Sequence, residues 1–163
     1  MELYLLRHGL AEDAAPGKPD SSRELTPEGA EKVAAVTALA SRSGATPTLI
    51  LSSPYVRAVE TARVAAKEFA FRGLTLRTEV LVPFGAPEDV WSQIRDHDDE
   101  GSILLAGHEP LLSRLAAFLL GAPDLRIEMK KASLIRIDLD LPRSRSTPPR
   151  GVLRWMLTAK LAS

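Results

Sequence analysis

The chain has 163 residues, a length that suits one domain, 1–163, able to bury its own core. Its 21 lysines and arginines balance 21 aspartates and glutamates, which argues against general nucleic-acid binding and against attachment to an anionic membrane surface. There is no cysteine, which excludes a disulfide framework, a thiol nucleophile and a thiolate zinc site, and which agrees with a reducing, cytoplasmic setting.

In chain order, Leu3-Tyr4-Leu5-Leu6 reads as a buried strand. Arg7, Glu12 and Asp13 follow too soon for the apolar core of a signal peptide, and no run reaches membrane-spanning length. Val33, Val36 and Leu39 recur at helical spacing after a Thr26-Pro27 start, which predicts a helix from about Thr26 to Ser43 with Gly44 as its stop. Leu49-Ile50-Leu51 reads as a second strand, followed by a helix that begins at Ser53-Pro54, with Ser53 as N-cap, and runs to about Phe69 before Gly73. Leu74 to Val80 alternates apolar and polar residues like an edge strand, and a short helix is predicted from Pro87 to Asp96.

Ile103-Leu104-Leu105-Ala106 is another compact apolar run, and Leu111 to Leu120 reads as a buried helix ending at Gly121. Residues 133–139 and 152–157 are predicted to form a β-hairpin around the polar loop Pro142 to Arg150, whose Arg143-Ser144-Arg145-Ser146 stretch is expected to be solvated. Strands alternating with helices, followed by a hairpin, predict an α/β fold with a mostly parallel central sheet and a C-terminal antiparallel hairpin.

Three charged stretches each follow an apolar strand-like run: Arg7-His8-Gly9, Ser52 to Arg57, and Gly107-His108-Glu109-Pro110. Ligands of open α/β sheets bind beyond the carboxyl ends of parallel strands, so one crevice can gather these residues despite their separation in sequence. Phosphoryl transfer needs an in-line nucleophile and preorganised positive charge around the phosphoryl oxygens. A neutral His8 can attack phosphorus through one ring nitrogen while a backbone carbonyl fixes the other N–H. Arg7 and Arg57 can grip phosphoryl oxygens through paired N–H groups and help to keep His8 neutral. Arg57 falls in the first turn of its helix, where the helix dipole favours an anion, and His108 can donate to the transferring group.

Other polar residues have ordinary readings. Glu60, three residues after Arg57, is expected to form an i,i+3 ion pair with it. No Gly-x-Ser-x-Gly elbow accompanies Ser52 or Ser53, so serine chemistry is not expected. His97, flanked by Asp96, Asp98 and Asp99, reads as a solvated helix end, and Trp91 and Trp155 as packing residues.

The Leu-Leu-Arg-His-Gly start, the Ser-Ser-Pro-x-x-Arg-Ala-x-x-Thr run at 52–61 and Gly-His-Glu-Pro at 107–110 resemble the histidine phosphatase superfamily. The short Arg23 to Gly29 segment, the lack of a large inserted lid and the Gly-His-Glu-Pro-Leu-Leu-Ser form resemble its small SixA-type phosphohistidine phosphatases, over residues 1 to about 160. The resemblance implies a three-layer α/β/α sandwich and a phosphorylated His8. It further implies a phosphate pocket of Arg7, Gly9, Arg57 and His108, no metal or cofactor, and a phosphohistidine-bearing protein as partner. Many relatives carry an acidic proton donor after the second arginine; here Glu79, Glu88, Asp89 and Glu12 are the candidates, and none matches that pattern. A small-molecule phosphomonoesterase or phosphoanhydride hydrolase, and a phosphoryl-binding domain without turnover, are the alternatives.

Overall fold

Three short apolar strands form the middle of the computed structural model, which describes residues 1–163. They are β1 (Glu2–Arg7), β2 (Leu49–Ser52) and β4 (Ser102–Gly107), and with β3 (Leu74–Arg77), β5 (Leu134–Asp140) and β6 (Arg150–Leu157) they make a six-stranded sheet in the order β3-β2-β4-β1-β5-β6. The first four strands in that order run parallel, and β5 and β6 are antiparallel, as the sequence predicts.

Uninterrupted apolar runs suit the central strands because both faces are covered. Leu3, Leu5, Leu49, Leu51, Ile103 and Leu105 enter one core with α3 (Pro87–Arg95) and α4 (Leu111–Leu119). Tyr4, Leu6, Ile50, Leu104 and Ala106 enter the other with α1 (Pro27–Arg42) and α2 (Val56–Glu68). A four-residue helix, α5 (Ala159–Ala162), packs against this second face. The two cores and the sheet between them make the three layers. Trp91 lies in the first core and Trp155 packs on Tyr4, with ring centroids 6.0 Å apart.

Element boundaries follow local chemistry. Thr26 caps α1 by accepting from the Gly29 N–H at 2.9 Å, Pro27 is the first helical residue, and Gly44 leaves the helix at φ 89°. One predicted boundary and one predicted stop are corrected. α2 starts at Val56 rather than at Ser53-Pro54; it ends at Glu68 with Phe69 as C-cap, as expected, but the left-handed residue after it is Ala70, at φ 48°, rather than Gly73. Gly73 instead permits a close approach, since a Cβ there would lie 2.5 Å from the Thr48 carbonyl oxygen. The predicted edge strand is shorter than its alternating pattern, because Thr78 accepts from the Val80 N–H and turns Glu79–Leu81 into a 3-10 helix. The 143–146 loop is also less free than expected: Arg145 reaches across to Asp96 at 2.7 Å and to the Arg95 carbonyl at 3.1 Å.

Topology decides where a ligand would sit. From β1 the chain crosses one face through α1 to β2, and from β4 it crosses the opposite face through α4 to β5. β1 and β4 are neighbours in the sheet, so their carboxyl ends flank the point where the connections diverge, the location favoured for binding crevices. Arg7 pairs with Gly107 in the register, which puts His8 and His108 at the same level.

Candidate active site

Backbone hydrogen bonds fix the three strand ends against one another. The His8 N–H donates to the Gly107 carbonyl at 3.0 Å, the Ser53 N–H to Ala106 at 2.9 Å, and the Arg7 N–H to Ser133 at 3.0 Å. His8, Arg57 and His108 are respectively 6%, 3% and 1% exposed, so the cluster is built into the protein rather than laid on it. The two imidazole centroids lie 5.0 Å apart, and Tyr55 packs edge-on against His108 at 4.9 Å.

His8 is held in one tautomer. Its Nδ1–H donates to the Gly9 carbonyl at 2.7 Å, leaving the Nε2 lone pair free to accept from Arg57 Nε–H at 3.3 Å. The Gly9 N–H is itself taken by Thr61 Oγ1 at 3.1 Å, and Thr61 donates to the Arg57 carbonyl at 2.7 Å. Both polar groups of Gly9 are therefore occupied in positioning the ring. A Cβ on Gly9 would stand 2.7 Å from the Gly29 carbonyl oxygen, so the tight packing of this turn on α1 requires glycine.

Arg57 uses its whole guanidinium. Besides the bond to His8, Nη1 donates to the Asp20 carbonyl at 2.8 Å and Nη2 to the Asp20 carboxylate at 2.9 Å. The expected Arg57–Glu60 pair is thus replaced by Asp20, while Glu60 accepts from the Leu25 N–H at 2.6 Å and anchors the segment before α1. Burial opposes ionisation of Asp20, but Arg57 and then Arg23 outweigh it and hold the carboxyl below its usual range. Arg7 donates through Nη1 to the Met129 carbonyl, while its buried Nε has no partner.

His108 is oriented by a residue whose sequence suggested another task. Ser53 lies before the start of α2, where Tyr55 is the N-cap; Ser53 Oγ accepts the Tyr55 N–H at 3.3 Å and sits 2.8 Å from His108 Nε2. The arrangement that gives the Ser53 hydroxyl proton an acceptor is donation to Nε2, which places the ring proton on Nδ1. Nδ1 is buried and has no partner in the protein, so it is a donor without an acceptor. Ser53→Ala removes what selects this tautomer. We expect it to lower kcat by about tenfold or more with little change in thermal stability, measured beside Ser53→Thr, which keeps the hydroxyl.

Burial lowers the His8 pKa to about 4, with Arg57, Arg7 and Lys131 adding to the effect against the Gly9 hydrogen bond. Burial likewise lowers His108 to about 3, helped by His8 and the arginines. Both rings are neutral at neutral pH, as a nucleophile and a tautomer-selected donor require. An unfolded histidine titrates near about pH 6.5, so on acidification the unfolded chain takes up protons that the folded pocket resists. The resulting stability is present above about pH 6.5 and is lost as pH falls toward the folded values. Denaturant midpoints between about pH 6.5 and 5, before most carboxylates titrate, should therefore fall in the native chain and stay nearly level in a His8→Gln/His108→Gln variant.

The four acid candidates from sequence do not join the cluster. Glu79 is exposed in the 3-10 turn after β3, and Glu88 and Asp89 are exposed in the first turn of α3. Glu12 is exposed in the loop before α1, where its backbone carbonyl accepts from Arg23. The carboxylate that does touch the cluster is Asp20, which periodicity could not single out because it lies in the irregular polar segment between β1 and α1. Glu109, beside His108 in sequence, is committed through Oε1 to the Ser113 N–H at 2.9 Å.

A model of the histidine phosphatase superfamily (branch 1) matches residues 3–79. An uncharacterised protein of Picosynechococcus sp. is 34% identical over 142 residues, covering 83% of each chain. In fold, the chain is similar to the protein histidine phosphatase SixA solved with tungstate, at a TM-score of 0.85 and 22% identity over 98% of both chains. It is also similar to a mycobacterial glucosyl-3-phosphoglycerate phosphatase, at a TM-score of 0.68 and 18% identity, covering 94% of this chain and 96% of that one.

Proposed function

Because the chain belongs to the histidine phosphatase superfamily, we propose that it hydrolyses phosphohistidine on a protein partner, without a metal ion, through a covalent phosphohistidine on His8. The observation that carries this reading is that Asp20, the carboxylate in contact with the cluster, is committed to Arg57 at 2.9 Å and Arg23 at 2.8 Å.

An alkoxide is a poor leaving group and calls for a proton donor, which an Asp20 held ionised by two arginines does not supply. A phosphohistidine protonated on its far ring nitrogen needs none, since it departs as neutral imidazole. In the first step the His8 Nε2 lone pair forms the new P–N bond while the substrate P–N bond breaks, its electrons returning to the departing ring. The His8 Nδ1–H remains on the Gly9 carbonyl, where it stabilises the cationic phosphorylated ring. The bond made resembles the bond broken, so the transfer is close to balanced in energy.

Water then attacks phosphorus, the P–Nε2 bond breaks, and His8 is restored with release of phosphate and the water's proton. Arg7 and Arg57 surround the group with positive charge, and neutral His108 donates a hydrogen bond to it, through both steps. Arg57 Nε exchanges its bond to His8 for one to a phosphoryl oxygen, since it now occupies the lone pair that must attack, while Nη1 and Nη2 keep their bonds to Asp20.

The test is phosphate release in the presence of a chelator, from a protein phosphorylated on histidine and, in parallel, from sugar phosphates. Preferential release from phosphohistidine is expected. Brisk turnover of sugar phosphates with none of phosphohistidine would replace this reading with that of a metabolite phosphatase, and binding of tungstate without any turnover would replace it with that of a phosphoryl-binding domain.

A further inference from the structure

A basic groove adjoins the histidine cluster. It encloses about 480 Å³ and draws Arg7 from the end of β1, Lys32 from α1, Lys130 and Lys131 from the turn before β5, and Lys160 from α5, with Glu128 as its one carboxylate. Glu28 pairs with Lys32, whereas none of the seven ion pairs in the fold uses Lys130, Lys131 or Lys160. In a chain whose formal charge is zero, this concentration is a local feature rather than an overall excess.

The lysine turn is tied to the candidate nucleophile. The Ala132 N–H donates to the His8 carbonyl at 3.1 Å, the Ser133 N–H closes the turn onto the Lys130 carbonyl at 2.9 Å, and Arg7 Nη1 donates to Met129. Ala132 takes a left-handed φ of 62°, a conformation an alanine holds only where its surroundings impose it. The positive field of Lys131 reaches the His8 ring. Arg7 both lines the groove and belongs to the cluster, so an anion gripped at the cluster has cations in the adjoining groove.

We propose that this groove receives an acidic protein surface, so that the substrate is a phosphohistidine flanked by aspartate or glutamate side chains. The inference rests on the phosphohistidine reading above and adds to it the chemistry of the partner. Unpaired lysines attract such a surface over about a Debye length, roughly 8–10 Å, and so raise the rate of productive encounter more than the rate of the chemical step. Exposed ammonium groups on flexible stems suit a variable protein surface better than a fork rigidly matched to one small anion.

The test uses two synthetic peptides, each with one phosphohistidine, flanked by aspartates in one and by asparagines in the other, together with free phosphoramidate. The native chain should prefer the aspartate peptide, and raising the ionic strength should erase the preference. Lys130→Glu/Lys160→Glu should lower kcat/KM for that peptide by about tenfold or more, chiefly through KM, and leave phosphoramidate turnover unchanged. Lys130→Gln/Lys160→Gln, which disturbs the surface least, should fall between. Equal use of the two peptides by the native chain, or an equal loss on peptide and phosphoramidate in both variants, overturns the groove proposal alone. If neither peptide is turned over while sugar phosphates are, the phosphohistidine reading fails and the groove proposal falls with it.

Discussion

His8→Ala should abolish turnover, with a loss of about 10⁴-fold or more, because it removes the atom proposed to form the covalent bond and leaves only the positively charged surroundings. The fold should survive the change. Alanine keeps the two backbone bonds that fix this strand end, the His8 N–H to Gly107 and the His8 carbonyl to the Ala132 N–H, and loses only the ring's bonds to Gly9 and Arg57. Tungstate should still bind, since Arg7 and Arg57 remain. A melting temperature near the native value together with retained tungstate binding therefore separates loss of the nucleophile from loss of the pocket. Residual turnover within about tenfold of native would mean that another group attacks phosphorus.

Arg57→Ala should lower kcat/KM by about 10²–10³-fold, the range found when one preorganised donor is removed from a transition-state pocket. Arg57→Lys should recover little of that loss, because one ammonium cannot replace the three directions in which the guanidinium now points: His8 Nε2, the Asp20 carbonyl and the Asp20 carboxylate. A second readout distinguishes this role from a purely structural one. Arg57 helps to depress both histidine pKa values and Asp20 opposes it at His108, so its removal leaves a less compensated carboxylate beside the rings. The acidic limb of kcat/KM should move to higher pH in Arg57→Ala and move part of the way back in Arg57→Ala/Asp20→Asn.

Much of the site was readable as strand ends. Arg7-His8, Ser52-Ser53 and Gly107-His108 each follow a run apolar enough to be buried on both sheet faces, and parallel pairing then brings those ends to one edge. The start of α1 was equally readable, because Thr26 and Pro27 act locally through a cap and a fixed φ. What escaped was long-range. Glu60 stands at the right spacing to pair with Arg57, yet Asp20, 37 residues away, takes the guanidinium because the 3-10 turn at Asp20–Ser22 is packed against α2. Ser53 has the composition of an N-cap, but its partner is His108, 55 residues on. Neither contact leaves a periodic trace in the sequence. The Lys130-Lys131 turn likewise gains its meaning only when the Ala132 N–H closes on His8.

A covalent phosphohistidine on His8 Nε2 is the intermediate proposed for this site. The most direct measurement is rapid quenching of the native chain, in alkali, during turnover of a histidine-phosphorylated protein, followed by mass mapping of the phosphorylated peptide. The expected result is an acid-labile, alkali-stable phosphoryl group on the peptide containing His8, formed and lost at rates that match turnover and missing from His8→Ala. A phosphoryl group on His108 or on a serine, or steady turnover with no label at His8 at any time, would contradict it.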